Sequence, residues 1–241
     1  MLTTLVLWDI DHTLLDSGPA GPAVYPRAFR ALTGSAPEVA VPTEGRTEQA
    51  IMGQLLEVHG IHGISGAEAA AAMVTALREL DDELRSGGRR LPGSLEALTA
   101  LRADPRAAQS LLTGNLRPNA HRKLAAFGLD RLVDFDAGAY GSDHPVRARL
   151  VAVAQRRASD RYGMRFGPED TVLVGDTLRD VAAGVEGGAR VVAVATGNDG
   201  AEELLAAGAE TVLPDLRDTS RVVGALLGGR QRERAVRRGT L

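Results

Sequence analysis

The chain contains no cysteine, and this absence excludes several kinds of chemistry at once. There can be no disulfide bond, thiol nucleophile, iron–sulfur cluster or cysteine-ligated zinc site. Basic residues are almost all arginine, because Lys123 is the only lysine among 241 residues. Any role that requires a lysine must therefore fall to Lys123 or be filled by arginine or histidine.

Long apolar runs and a strong excess of one charge are also lacking. No stretch is long and apolar enough to span a bilayer, and no basic region typical of a secretion signal precedes the first apolar run. The net charge is −3, so no basic field indicates a nucleic acid or an anionic membrane as partner. We therefore expect a cytoplasmic protein without nucleic-acid or membrane partners.

The strongest feature that is present is an apolar run followed by two aspartates. Leu5 to Trp8 is continuously apolar, as expected of a parallel strand covered on both faces. Asp9 and Asp11 come directly after it, and two carboxylates there are costly to desolvate unless a cation lies with them. An aspartate after a strand is also a common turn or helix N-cap residue, so this pattern alone is compatible with a structural role.

The chain divides into a helical segment and a segment of alternating strands and helices. After a loop rich in glycine and proline at residues 16–22, helical spacing of apolar residues predicts helices at 23–32, 48–58 and 67–84. No convincing strand lies between residues 17 and 90. From residue 91 onward, helices alternate with predicted strands, which lie at 110–113, 135–139, 171–174, 190–195 and 210–213.

This alternation predicts an α/β fold with a parallel sheet and right-handed crossovers. We expect residues 1–16 and 91–227 to form the sheet domain, with residues 17–90 as an inserted all-helical domain. Residues 228–241 hold several arginines and are predicted to be a basic C-terminal tail.

Polar side chains follow three of the predicted strands at the same relative position. Asp9 follows the first strand, Thr113 ends the second, and Asp176 comes two residues after a later one. In an open parallel sheet, ligands bind at the carboxyl ends of the strands, so we expect these side chains to lie together. Asp180 lies one helical turn beyond Asp176, which allows both carboxylates to face the same point.

These residue types suit phosphate-ester chemistry with a hard divalent cation. Carboxylates and a backbone carbonyl near Asp11 favour magnesium over zinc or copper as the bound metal. The Thr113 hydroxyl and the backbone N–H groups of Gly114 and Asn115 are suited to hold a phosphate. One carboxylate can then attack phosphorus, while a second protonates the leaving oxygen and later deprotonates water.

Three motifs closely resemble signature motifs of the haloacid dehalogenase superfamily. They are Asp9-Ile-Asp-His-Thr-Leu-Leu, Leu112-Thr113-Gly114-Asn115 and Gly175-Asp176-Thr177-Leu178-Arg179-Asp180. The helical segment falls between the first and second motifs, where the type 1 helical cap of that superfamily lies. The resemblance is closest to phosphoglycolate phosphatase-like members, and it implies a Rossmann-like core of three layers.

The resemblance implies a role for each matched residue. Asp9 would be the nucleophile, Asp11 the general acid and base, and Thr113 a phosphate ligand. The family pattern usually has glycine where His12 stands, so His12 is either tolerated in the loop or in contact with the substrate. Magnesium would be held by the carboxylates of the matched motifs, Asp9, Asp11, Asp176 and Asp180.

The remaining motif of the superfamily is a lysine or arginine near the start of the helix after the third strand. Here His144 precedes a proline, and Arg147 and Arg149 follow. A permanent charge is needed beside Asp9 and the phosphate, and neutral histidine is a poor substitute. We therefore predict Arg147 as this residue. In the helical segment, Arg46 is either an exposed loop residue or a cation that binds the substrate.

The resemblance implies a magnesium-dependent phosphatase that hydrolyses a small phosphorylated metabolite, such as phosphoglycolate, through an aspartyl-phosphate intermediate. A β-phosphoglucomutase-like phosphomutase and a catalytically silent phosphate-binding module are the alternatives. Dehalogenation is disfavoured, because that branch lacks an acid at the position of Asp11. Schiff-base phosphonate hydrolysis needs a lysine in the helical segment, which has none.

Overall fold

The computed structural model describes residues 2–228, which form seven strands and ten α-helices. The strands are β1 (Thr4–Trp8), β2 (Leu15–Asp16), β3 (Arg89–Arg90), β4 (Ala107–Leu111), β5 (Thr171–Gly175), β6 (Arg190–Val194) and β7 (Thr211–Leu213). The helices are α1 (Ala20–Thr33), α2 (Glu48–Val58), α3 (Gly66–Glu79), α4 (Asp81–Gly87), α5 (Ser94–Ala103), α6 (Arg117–Ala126), α7 (Arg147–Tyr162), α8 (Leu178–Gly187), α9 (Ala201–Ala206) and α10 (Thr219–Leu227).

Five strands form a parallel sheet in the order β4-β1-β5-β6-β7, which confirms the predicted α/β fold. Val6 and Trp8 of β1 pack into one apolar cluster, whereas Leu5 and Leu7 pack into another. Alternate residues of the strand thus face opposite helical layers, which explains the continuous apolar run. The chain passes from β1 to β4 on one side and then crosses to β5 on the other side of β1, and such a reversal of strand order is the point where these sheets bind ligands.

Helices α1 to α4 form an all-helical insert between β2 and β3. The insert has an apolar cluster of its own, to which α6 adds Leu116. Residues Leu15 and Asp16 pair with Arg90 and Arg89 in antiparallel fashion, so the two connections to the sheet form a ribbon. The ribbon lies at the two junctions where the sequence predicts a domain boundary.

The observed elements differ from the predicted ones at several points. The helix predicted at 67–84 breaks at Leu80, because the acidic residues that open α4 favour the start of a new helix. The strand predicted at 135–139 is wrong: only Ala139 bridges to Leu112, and the Asp134 carboxylate accepts from the Asp136 N–H to make a turn. The short β3 lies inside the segment that was predicted to lack strands.

No helix among residues 2–228 combines the length and the apolar character required to cross a bilayer. The predicted basic tail lies outside the described residues, except for Gly228, which follows α10.

Candidate active site

A cavity of about 300 Å³ lies where the carboxyl ends of β1, β4 and β5 meet. Asp9, Thr113 and Asp176 line it, each from a position just past one of these strands. The helical insert supplies the facing wall, which includes Tyr25 and Glu48. The three polar residues that the sequence placed at one edge of the sheet therefore share one cavity.

Asp9, Asp176 and Asp180 form a group of three buried carboxylates. One oxygen of each lies within 4.8 Å of the others. Asp180 reaches the group because α8 starts directly after the β5 loop, with Thr177 as its N-cap in a capping box. The Thr13 hydroxyl donates to Asp176 Oδ1 at 2.8 Å. We refer to Asp9, Asp176 and Asp180 as the carboxylate group.

Arg147, the first residue of α7, places its guanidinium between two members of the carboxylate group. Its Nη2 donates to Asp9 Oδ1 at 2.8 Å and to Asp180 Oδ1 at 2.5 Å, and its side chain is only 9% exposed. Arg149 is exposed, and His144 accepts a backbone hydrogen bond within its own turn. Of the three basic residues considered from the sequence, the structure brings Arg147 to Asp9.

Burial sets the electrostatics of the carboxylate group. It raises the pKa of Asp9 against the opposing charge of Arg147, and it raises the pKa of Asp176 together with the charges of Asp180 and Asp9. One guanidinium contacts this group of three carboxylates, so negative charge remains unbalanced among the described residues. Excess charge on hard oxygen ligands fits a divalent metal ion.

Asp11 contacts a different cation, Lys123. The Lys123 ammonium donates to Asp11 Oδ1 at 2.8 Å and to Oδ2 at 2.7 Å, and Ser17 and Asn115 donate to the same carboxylate at 2.6 and 2.9 Å. Burial alone would raise the pKa of Asp11, but the Lys123 charge and these hydrogen bonds lower it to about 2. The sequence predicted Asp11 as a fourth metal ligand beside Asp9, Asp176 and Asp180. The structure instead places the Asp11 carboxylate with Lys123, outside the carboxylate group.

The loop after β4 presents a hydroxyl to the cavity. Thr113 Oγ1 accepts from Asn115 Nδ2 at 2.8 Å and from the Asn115 backbone at 3.3 Å. No acceptor among residues 2–228 takes the Thr113 hydroxyl proton, so it is available to a ligand. Asn115 thus contacts Thr113 through both its side chain and its backbone N–H, whereas the sequence predicted that this N–H binds phosphate. Gly114 lies directly against the insert. A Cβ at this position would overlap the Arg46 carbonyl, so the close approach requires glycine.

Comparison with known proteins identifies the family of this site. A family model described as haloacid dehalogenase-like hydrolase matches residues 3–188. The chain belongs to this family. No curated protein matches the chain. The matched region of this hydrolase includes the whole carboxylate group, Arg147, Lys123 and the helical insert.

Solved structures share the fold of the hydrolase at low sequence identity. CbbY from Rhodobacter sphaeroides in complex with phosphate is 20% identical, with a TM-score of 0.67 over 95% of this chain and 99% of that one. A predicted phosphatase from Clostridium acetobutylicum is 16% identical, with a TM-score of 0.64 over 92% and 99%. A protein from Thermotoga maritima proposed to be a β-phosphoglucomutase is 20% identical, with a TM-score of 0.59 over 93% and 100%.

Two residues of uncertain role in the sequence occupy defined positions in the hydrolase. Arg46 lines the cavity, but its guanidinium donates to groups of the insert, at Pro42 O, Gln54 Oε1 and Ala50 O. It is therefore not brought to Asp9. His12 also lines the cavity, and its φ of 59° lies in the left-handed region that favours glycine. This backbone conformation explains why the family pattern has glycine there.

Sequence reasoning missed two residues of the hydrolase site, Lys123 and Glu48. Glu48 is 3% exposed, and its Oε2 accepts from the Leu116 N–H and from Asn119 Nδ2, both at 2.9 Å. Its place at the start of α2 gave no signal beyond the usual preference for an acid there. Lys123 carries one signal in the sequence, which is that it is the only lysine in the chain.

Replacement of Glu48 by glutamine should change how stability depends on pH. Burial raises the pKa of Glu48 from 4.5 to about 7, against the opposing Lys123 charge and the hydrogen bonds from Leu116 and Asn119. A carboxyl with a raised pKa contributes stability below its ordinary value and loses it as the pH rises through the folded value. Relative to the variant, the wild type should lose about 3 kcal/mol of unfolding free energy across this window.

Urea unfolding of both proteins at a series of pH values, with EDTA present, measures this loss. Glu57→Gln is the matched control, because Glu57 is exposed on the same helix. A difference between wild type and Glu48→Gln that stays constant from pH 4.5 to pH 8 (~1 unit above the raised value) would contradict the prediction.

Proposed function

We propose that this hydrolase is a magnesium-dependent phosphatase that acts on a small phosphorylated metabolite through an aspartyl-phosphate on Asp9. The observation that carries the proposal is the setting of Asp9 in the cavity. Its Oδ1 is held by Arg147, while Oδ2 has no hydrogen-bond partner among the described residues. A carboxylate with one fixed and one free oxygen, beside a cation and the Thr113 hydroxyl, suits attack on a phosphoryl group.

The residues of the chain divide the reaction between them. The Thr113 hydroxyl donates to a phosphate oxygen, and the Arg147 charge lies beside Asp9 as the phosphoryl group arrives. Asp9 attacks phosphorus, and the bond from phosphorus to the ester oxygen breaks as Asp11 gives that oxygen a proton. Asp11 then takes a proton from a water molecule, which attacks the phosphorus, releases inorganic phosphate and restores Asp9.

The low pKa of Asp11 suits the second half of the reaction, in which Asp11 acts as a base. In the free protein Asp11 is ionised, as a base that activates water must be. A phosphate dianion bound nearby adds a like charge, which raises the pKa of Asp11 and favours the protonated acid needed in the first half. Substrate binding thus prepares the proton donor.

The carboxylate group would hold the magnesium ion. Asp9, Asp176 and Asp180 offer hard oxygen ligands, and their unbalanced charge is of the sign and size that a dication neutralises. When bound, the ion would supply positive charge that stabilises the phosphoryl group during transfer.

We assign the helical insert as a cap that covers the cavity. The Glu48 N–H donates to the Gly114 carbonyl at 2.8 Å, and the Glu48 carboxylate contacts the start of α6. These contacts join the insert to the loop proposed to bind phosphate. A cover of this kind excludes bulk water during transfer. The cytoplasmic location and the assignment of residues 17–90 as a domain stay predictions.

The structural neighbours support a small phosphate ester as substrate. CbbY has been solved with phosphate, and a mutant of CbbY has been solved with xylulose-(1,5)bisphosphate. Phosphoglycolate and sugar phosphates are both candidates for this chain. A phosphomutase is the second candidate function, favoured by the fold shared with the Thermotoga maritima protein proposed to be a β-phosphoglucomutase.

Release of phosphate should depend on magnesium. We expect phosphate from one or a few members of a panel of small phosphorylated metabolites, and a loss of at least about 10²-fold when EDTA removes the ion. Added magnesium in excess over EDTA should restore the rate. Conversion of a sugar phosphate into its isomer without net phosphate release would favour the mutase. Phosphate binding without any turnover would favour the silent module and contradict the proposed function.

A further inference from the structure

We propose that Lys123 is a positioning residue that orients Asp11 for proton transfer to the leaving oxygen, and thereby sets the ability of the site to expel poor leaving groups. The inference rests on the proposed function, because it assigns a helper to the general acid of that reaction. It concerns a residue outside the three motifs that carry the family resemblance.

The contacts of Lys123 are confined to Asp11. Its ammonium donates to both oxygens of this carboxylate, at 2.8 and 2.7 Å, and no other acceptor is found for it among residues 2–228. The side chain is only 6% exposed, yet it reaches the wall of the cavity. A buried ammonium is costly to desolvate. The single lysine of the chain is nevertheless buried, and it lies beside Asp11, the residue proposed to transfer the proton.

The helix that carries Lys123 is itself fixed by the insert. Asn119 lies four residues earlier on the same face of α6, and its Nδ2 donates to the Glu48 carboxylate. The neighbouring Arg122 does not contact Asp11, and its Nη1 donates to Asp81 Oδ1 at 2.9 Å. One face of α6 thus contacts both the insert and Asp11, and the contact with the insert holds the helix that carries Lys123.

Three donors together fix the orientation of the Asp11 carboxylate. Ser17 donates to Oδ1 and Asn115 to Oδ2, so Lys123 adds the only charged donor to a carboxylate already held at each oxygen. A side chain held this way has little rotational freedom, and proton transfer depends on orientation as well as distance. Loss of Lys123 would therefore harm the one step in which Asp11 gives up a proton.

The dependence of the rate on the leaving group separates positioning from a structural role. A general acid is needed to expel a poor leaving group, such as the phenolate of phenyl phosphate, but hardly for dinitrophenolate. We expect Lys123→Met to lower kcat/KM about 10²-fold for phenyl phosphate and by less than about 3-fold for dinitrophenyl phosphate. The comparison uses kcat/KM, because this constant covers only the steps through the first bond cleavage.

Matched variants complete the experiment. Lys123→Arg keeps the charge and should recover part of the loss on phenyl phosphate, whereas Arg122→Met, on the same helix, should leave both substrates unchanged. Ser17→Ala removes a neutral donor to Asp11, and it should lower kcat/KM more for phenyl phosphate than for dinitrophenyl phosphate, by a smaller factor than Lys123→Met. If Lys123→Met does not fold, Ser17→Ala and Lys123→Arg test whether the donors to Asp11 position it. An equal loss on both substrates, or none on either, would overturn the proposal. A wild type that cleaves neither of these esters nor any member of the metabolite panel would instead refute the proposed function.

Discussion

Asp9→Asn should reduce phosphate release by at least about 10⁴-fold while the fold stays intact, because an amide cannot replace the attacking carboxylate oxygen. Asparagine has the shape of aspartate, and it removes the buried negative charge of Asp9. Burial disfavours this charge, as the raised pKa of Asp9 shows. The variant should therefore unfold at a temperature no lower than that of the wild type in EDTA. Steady-state phosphate release and thermal unfolding measure the two quantities.

A control and a second readout make this result specific to the nucleophile. Asp136→Asn removes an exposed carboxylate that pairs with Arg117, and it should leave turnover unchanged. Acid quenching of the wild type with radiolabelled substrate should leave label on the peptide that contains Asp9, and Asp9→Asn should leave none. Near-normal turnover of Asp9→Asn would show that another group attacks phosphorus.

Arg147→Ala should lower kcat about 10²–10³-fold, the scale for removal of a fixed charge beside the reacting group. Arg147 bridges Asp9 and Asp180, so its loss leaves Asp9 free to turn and removes positive charge from the phosphoryl site. Arg147→Lys keeps the charge but presents a single point donor, and it should retain more activity than the alanine variant. Initial rates at saturating substrate with magnesium present measure both.

The two basic residues nearby serve as controls. Arg149→Ala and His144→Ala change side chains that lie on the same loop and helix without contact to Asp9. Each should keep activity close to that of the wild type. If His144→Ala loses most of the activity while Arg147→Ala loses little, histidine fills the basic position and the assignment of Arg147 is wrong.

The sequence predicted the sheet, and it brought together three of the four carboxylates that it assigned to the metal, because both features follow from local patterns. The apolar run of β1 requires burial on both faces, and parallel strands bring the residues after them to one edge. Asp180 joins Asp176 because a helix starts at a fixed point after β5. The break at Leu80 and the turn at Asp134 were missed, because each depends on side-chain hydrogen bonding or capping that competes with periodicity.

The partner of Asp11 could not be predicted, because it depends on packing over a long sequence distance. Lys123 lies two turns into α6, and only the placement of that helix against β1 and the insert brings it to Asp11. Arg46 shows the reverse case. Its type and loop suggested a substrate contact, yet nearby carbonyl and amide groups of α2 and its loop take the guanidinium.

The contact between Gly114 and the Arg46 carbonyl has a consequence for how this protein can evolve. The close approach of the insert to the loop after β4 depends on the absence of a single methyl group at this point. The sheet and the insert each have an apolar cluster, and Leu116 from the sheet domain packs into that of the insert. We therefore expect a substitution at Gly114 to push the insert away from the loop after β4 and to widen the mouth of the cavity, so that larger esters are admitted.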